Sequence, residues 1–225
     1  MKNLAAFKPR MVAIYFFAVA FTAAVFFLPA GTLDFYQAWI FMGVIFIPAF
    51  FVITYFLKRD PELLRRRMQY KEKEIQQKKI IIVADVIFFV AFLMPGFDHR
   101  YGWSDVPFWL VIVSNAIVFL SYLLCFLVFK KNSYASRIIE VQKDQKVIST
   151  GPYAVVRHPM YVAVICMMVF MPLALGSYWS LIPYLLVIPV IVLRILNEEK
   201  VLREQLKGYI EYCKKTRFRL IPHVW

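Results

Sequence analysis

The sequence predicts an all-α protein, a polytopic bundle of transmembrane helices, and three observations carry the prediction. Hydrophobic residues make up 61% of the 225, 22 of them Phe, against 18% charged, and the mean hydropathy of +0.63 lies far outside the range of a soluble domain. The apolar residues form runs long enough to cross a bilayer as helix. Lys and Arg collect in alternate connections between those runs, as they do on the cytoplasmic side of a membrane.

A hydrocarbon core of about 30 Å takes roughly 20 apolar residues in helix. Six runs approach that length: residues 11–28, 38–57, 80–94, 107–129, 159–175 and 178–196. The first follows Lys2, Lys8 and Arg10 and so resembles a signal peptide. It is long enough to span and shows no clear small-residue cleavage site, so a retained helix is expected. The third and fifth runs are short, and the last contains Pro183 and Pro189, so tilting, kinking or partial crossing is expected among them.

Orientation follows from the connections. The second holds Lys58, Arg59, Arg65, Arg66, Arg67, Lys71, Lys73, Lys78 and Lys79, and the fourth Lys130, Lys131, Arg137, Lys143, Lys146 and Arg157. The odd connections are poor in basic residues, with Asp34 in the first, Asp98, Arg100 and Asp105 in the third, and the tight Gly176-Ser177 turn as the fifth. About six spans with both termini in the cytoplasm satisfy every connection. The expected organisation is one integral membrane domain over residues 1–225, with N-terminal spans over 1–129 and a core over 130–225. The net charge of +13 then meets anionic headgroups, and nucleic acid is not an expected partner. Cys125, Cys166 and Cys213 are scattered, with no C-x-x-C or Cys/His spacing for a redox pair, and no metal is expected.

Within the second connection, Asp60-Pro61-Glu62 is a helix start, and Leu63, Leu64 and Met68 recur at helical spacing. A basic amphipathic surface helix and a solvated charged loop both fit. From Lys130 to Val156 the chain is polar but keeps Ala135, Ile138, Ile139, Val141, Val147 and Ile148 as apolar anchors. A connection this long in a compact domain is more often functional than idle.

Two constellations carry chemistry. Residues 149–161, Ser-Thr-Gly-Pro-Tyr-Ala-Val-Val-Arg-His-Pro-Met-Tyr, open with a Gly-Pro turn that redirects the chain. Pro159 suits the first turn of a helix, so a helix starts near His158. Arg157, His158 and Tyr161 then lie at a positive helix end, either as a ligand site or as headgroup anchors. Beyond the last run come Arg194, Glu198, Glu199 and Lys200. Arg194 and Glu198 share a helix face at i, i+4, while Glu199 points elsewhere. An ionisable cluster near a membrane helix end is a functional site by default, with an ordinary surface ion pair as the alternative. The helical pattern continues through Leu202, Leu206, Tyr209 and Tyr212, with a break at Gly208. The hairpin at Gly176-Ser177 returns both constellations to one face of the membrane. A pocket built from them offers donors for a carboxylate, carboxylates for an ammonium or ribose, aromatic walls, and a side open to lipid.

These residues resemble the isoprenylcysteine carboxyl methyltransferases and their phospholipid N-methyltransferase relatives. The likeness rests on Gly151-Pro152-Tyr153, Arg157-His158-Pro159-Met160-Tyr161, Arg194 with Glu198-Glu199, Gly208-Tyr209, Tyr212 and Arg219-Leu220-Ile221-Pro222, and covers the chain from about Asn132 onward. Ala163 stands where the family tends to have glycine. The resemblance implies an S-adenosylmethionine-dependent methyltransferase, and a G-x-G-x-x-G fingerprint is absent from the sequence. By the same likeness, His158, Pro159, Tyr161, Glu198 and Glu199 contact the cofactor, with Gln142, Tyr153 and Tyr209 as further wall residues. Arg194 holds the acceptor, and Glu198 serves as base if the acceptor arrives protonated. The acceptor is a lipophilic molecule, such as an isoprenylcysteine carboxylate, a lipid or a small hydrophobic compound, reaching a site that faces the cytoplasm. Two other readings fit the same polytopic shape, an NADPH-dependent membrane lipid reductase and a non-catalytic scaffold.

Overall fold

The computed structural model describes residues 4–68, 75–136 and 139–225. Lys2, Lys71, Lys73, Arg137 and Ile138, which entered the reading of the connections, lie outside the described residues, as do the side chains of Lys78 and Lys79. Among the described residues the secondary structure is helical: α1 (Leu4–Ala30), α2 (Tyr36–Arg59), α3 (Pro61–Arg67), α4 (Ile75–Tyr101), α5 (Phe108–Lys131), α6 (Pro159–Ala174), α7 (Leu181–Gln205) and α8 (Tyr209–Lys215). Each of the six apolar runs falls on one of these helices. By length and composition α1 from Phe7, α2, α5 and α7 can cross a membrane. Helix α6 has only 16 residues, fewer than the roughly 20 that a full crossing takes.

Contacts along the bundle pair α5 with α6, α1 with α4, α4 with α7, and α2 with both α1 and α5. The largest core cluster joins Phe26, Phe27 and Ala30 of α1, Phe41 and Met42 of α2, Ala91 of α4, Val118 of α5 and Tyr184 of α7. Large apolar side chains such as Phe16, Phe17, Phe51, Leu120 and Leu186 point outward. An apolar exterior on this scale suits hydrocarbon rather than water.

Helix α4 extends further than the apolar run 80–94, through Pro95 and Gly96, and takes Asp98 and Arg100 out of the connection and into its last turns. The reason is a hydrogen-bonded carboxylate. Asp98 is 1% exposed and accepts from the Ser104 backbone N–H and hydroxyl, each at 2.7 Å, and from the Ser177 hydroxyl. Full partnership offsets the desolvation that burying it costs. Ser180 in turn donates to the Ala91 carbonyl at 2.6 Å, so the α6–α7 hairpin is tied to α4 at this end of the bundle. The opposite end carries α3, residues 132–136 and 139–158, and the C-terminal segment with α8.

The connection after α2 forms a helix. Asp60 caps α3 by accepting from the Leu63 N–H at 3.1 Å, with Pro61 at the first helical position and Leu63 buried at 1%. Its arginines reach across the bundle end: Arg66 donates to the Ser133 carbonyl, and Arg67 to that of Ser136 at 3.2 Å while lying 5.1 Å over the Phe129 ring.

Gly96 sets the distance between α1 and α4. A Cβ there would lie 2.6 Å from the Phe26 carbonyl oxygen and 2.9 Å from Pro29 Cβ, whereas one on Gly43 would meet only Ile47 Cδ1 at 4.0 Å. Gly96→Ala is therefore expected to lower stability by about 1–3 kcal/mol through overpacking, and Gly43→Ala to leave it unchanged or raise it by about 0.5–1 kcal/mol through helix propensity. Unfolding of the two variants in detergent micelles measures the contrast.

Candidate active site

Gly151, at φ +63°, opens a short 3-10 turn over Gly151–Ala154, and four residues then lead into α6. Here the Arg157 and His158 N–H groups donate to the carbonyls of Phe218 at 2.9 Å and Arg219 at 3.0 Å, so the C-terminal segment is sewn to the start of α6. Pro159 is the first residue of α6 and His158 its cap. Gly208, at φ +86°, separates α7 from α8, a left-handed geometry that glycine adopts without strain.

Two adjacent carboxylates of α7 leave in different directions. Glu198 accepts from the Tyr161 hydroxyl at 2.8 Å, and that hydroxyl accepts from Arg194 Nε at 3.2 Å. Arg194, Tyr161 and Glu198 thus form one chain of hydrogen bonds between α6 and α7. Glu199, 3% exposed, turns the other way. Its Oε1 lies 2.7 Å from Arg157 Nε and 3.2 Å from His158 Nε2, and its Oε2 lies 3.1 Å from Arg219 Nε and 3.8 Å from Arg203. The Arg157 Nη1 donates to the Thr216 carbonyl at 3.1 Å and to that of Arg217 at 2.6 Å.

A cavity of about 330 Å³ opens beside the first of these networks, a volume within the range of small-molecule sites. His158, Pro159, Tyr161, Arg194, Glu198, Tyr153 and Tyr209 all line it, so the two sequence constellations share one wall. Residues 132–136 and 139–148 cover it from α5 across to α8, where Val141 and Val147 pack on Leu206, Tyr209 and Tyr212. Tyr153 is fixed at both ends: Asn132 Nδ2 donates to its hydroxyl at 2.8 Å, and the Tyr212 hydroxyl donates to its carbonyl at 2.7 Å. Burial pushes the Tyr153 phenol up to about 12, partly opposed by the Asn132 hydrogen bond. Burial, then the nearby Glu199 charge, also raises Tyr209, so both phenols stay neutral at physiological pH. The Tyr209 hydroxyl is buried without a hydrogen-bond partner in the protein. An orphaned donor in a cavity wall calls for a polar ligand, since leaving it unsatisfied costs about 1–3 kcal/mol.

Two sequence-predicted residues do not reach the cavity. Glu199 stands behind the wall, in the ion cluster just described, and Gln142 uses its amide on the Tyr134 carbonyl at 3.4 Å. Conversely, Arg67 of α3 and Asp85 of α4 line the cavity and were not singled out by the sequence reading. Asp85 did leave a signal, as the only ionisable residue in the run 80–94. Arg67 left none, because it sat among basic residues that the orientation of the helices already explained.

Residues 109–207 match the sequence model of the phospholipid methyltransferase family. That segment holds α5, α6 and α7 and most of the residues around the cavity. A search of curated proteins finds no significant match. Among solved structures, the chain is similar to that of a eukaryotic intramembrane Ras methyltransferase, isoprenylcysteine carboxyl methyltransferase, at 20% identity and a TM-score of 0.54, over 99% of this chain and 86% of that one. The segment match and the shared fold agree with the motif resemblance.

Proposed function

We propose that the protein is an S-adenosylmethionine-dependent methyltransferase whose acceptor is lipophilic and enters from the bilayer. The observation that carries this reading is one cavity that joins His158, Tyr161, Arg194 and Glu198, all within the segment similar to phospholipid methyltransferases, to the orphaned Tyr209 hydroxyl just beyond it. The residues present suit the cofactor chemically: a carboxylate and a neutral phenol for its amino and hydroxyl groups, a histidine, and aromatic surface for its base. Glu198, His158, Pro159, Tyr161, Tyr153 and Tyr209 would hold it, and when bound it supplies an electrophilic methyl group on a sulfonium.

The roles then divide. Glu198 supplies negative charge, with its carboxylate oriented by Tyr161. Arg194, linked to the same hydroxyl, fixes the acceptor beside it. Placing two reactants in attack geometry is worth about 7–11 kcal/mol, and excluding water adds to it. Glu199 is a positioning residue. It neutralises Arg157, Arg219 and the helix start at His158, and so locks the wall that His158 presents. The crowding of Lys58, Arg59 and Arg65–Arg67 at the same bundle end as the cavity supports a site facing the cytoplasm.

Glu198→Gln removes the charge while keeping the shape, and is expected to weaken S-adenosylhomocysteine binding tenfold to a hundredfold, the loss of a charge-assisted hydrogen bond of about 1.5–3 kcal/mol. His158→Ala acts in the same direction. Arg194→Ala retains that affinity and depresses methyl transfer. Calorimetric titration of folded variants decides, and wild-type binding by all three would remove the site from this cavity.

Glu199→Gln leaves the buried Arg157 without its counter-charge, at a cost of about 3–5 kcal/mol. The expected result is a large loss of thermal stability, against little change for Glu198→Gln. For orientation, cysteines placed at Ser149 and Asp105 should react with an impermeant reagent from the cytoplasmic and the external side of intact cells respectively. Labelling of Ser149→Cys from outside would reverse the topology.

A further inference from the structure

A second cavity lies apart from the candidate active site. It is a groove of about 450 Å³ between α2 and α5, walled by Ile47, Phe51 and Tyr55 on one helix and by Phe119, Leu123 and Phe126 on the other. None of these residues lines the first cavity. Ile47, Phe51, Phe119 and Leu123 are exposed, so the groove opens on the apolar exterior of the bundle.

Its place along the helices narrows what can fill it. Both α2 and α5 run toward the bundle end that carries α3, and the groove takes only the second half of each. From Ile47 to Tyr55 it extends about 12 Å along α2, within the roughly 15 Å that one leaflet contributes to the hydrocarbon core. A membrane-spanning partner helix would press on the whole length of this face. A groove confined to one leaflet fits an acyl chain.

The next turn of each helix is basic. Lys58 and Arg59 follow Tyr55 by three and four residues, and Lys130 follows Phe126 by four, so all lie on the groove side of their helices. The two helix ends are level, because the Phe126 ring centroid lies 5.3 Å from that of Tyr55 and 5.8 Å from that of Phe56, and Phe129 lies 6.4 Å from Phe56. The three cations are exposed. The acids that follow α2 are engaged elsewhere, Asp60 in capping α3 and Glu62 in a pair with Arg65. Among the described residues, no side chain pairs with Lys58, Arg59 or Lys130. An apolar slot one leaflet deep, rimmed by cations without counter-charges, complements a molecule with a long chain and an anionic head.

We propose that the α2–α5 groove binds an anionic phospholipid from the leaflet at that end of the bundle, with one acyl chain between the helices and the phosphate among Lys58, Arg59 and Lys130. The lipid bridges α2 and α5 and stabilises the folded bundle by mass action. The site stands independently of the methyltransferase reading, since it uses no residue of the first cavity.

The test titrates the purified protein in neutral detergent with phosphatidylglycerol or with phosphatidylcholine of the same chains, reading bound lipid by native mass spectrometry and stability by thermal unfolding. Wild type is expected to hold phosphatidylglycerol more tightly than phosphatidylcholine and to unfold at a higher temperature with it. The triple variant Lys58→Gln, Arg59→Gln, Lys130→Gln should bind phosphatidylglycerol about tenfold to a hundredfold more weakly, yet unfold like wild type without lipid. Removing the same charge at exposed positions around α8, with Lys207→Gln, Lys214→Gln and Lys215→Gln, should leave binding intact. Leu123→Trp, which fills the slot and keeps the cations, should weaken binding as well. Equal affinity for the two lipids, equal losses in the two triple variants, or undiminished binding by Leu123→Trp overturns the assignment. So does a two-chain species that Leu123→Trp separates, which would make the groove a contact between copies of this chain.

Discussion

A carboxylate buried to the extent of Glu199 is tolerable only when cations surround it, and the end of the bundle that holds the cavity is arranged to supply them. Arg157 comes from the segment before α6, Arg203 from one turn further along α7, and Arg219 from the C-terminal segment. Three parts of the chain that are distant in sequence are thus held to one side chain. The backbone follows the same logic, since the N–H groups of Arg157 and His158 are satisfied by carbonyls beside Arg219. Removing the negative charge would leave the buried Arg157 guanidinium without its counter-charge and release Arg203 and Arg219, so this wall stands or falls as a unit.

What that unit holds in place is the other carboxylate. Adjacent residues on a helix differ by about 100° in direction, so with Glu199 fixed inward toward the cluster, Glu198 is turned toward α6, where the Tyr161 hydroxyl meets it. Ala163, two residues beyond Tyr161, is fully buried. The position where the related family tends to carry glycine is therefore filled by the next smallest side chain, and the face of α6 stays free of bulk. The ion cluster and the Arg194–Tyr161–Glu198 network are thus neighbours in sequence that face different ways.

The far end of the bundle sets the same geometry from a distance. Asp98 and Ser180 tie the α6–α7 hairpin to α4, and Gly96 lets α4 lie against the backbone of α1. Because helices are stiff over their length, a register fixed at one end is carried to the other, where Asp85 of α4 and Arg194 of α7 both line the cavity. Residues 132–136 and 139–148, without helix or strand, are held over the cavity by Arg66 and Arg67 from α3 and by apolar contacts to α8. The polar site is thus closed by backbone that the membrane's apolar requirement would exclude from a span.

Local physics made much of this legible in the sequence. Apolar run length placed the helices, the Asp60-Pro61 and His158-Pro159 pairs marked where α3 and α6 begin, Gly208 marked the break after α7, and i, i+4 spacing put Arg194 and Glu198 on one face apart from Glu199. Each of these depends on residues within about a turn of one another. The sequence could not assign Glu199 to the ion cluster, because its partners Arg157 and Arg219 lie 42 and 20 residues away and nothing local distinguishes it from Glu198. Nor could it turn Gln142 from the cavity toward Tyr134, extend α4 to a buried Asp98, or bring Arg67 and Asp85 to the wall. Those placements depend on which helix packs against which and in what register, and contacts between distant segments settle that only once the chain has folded.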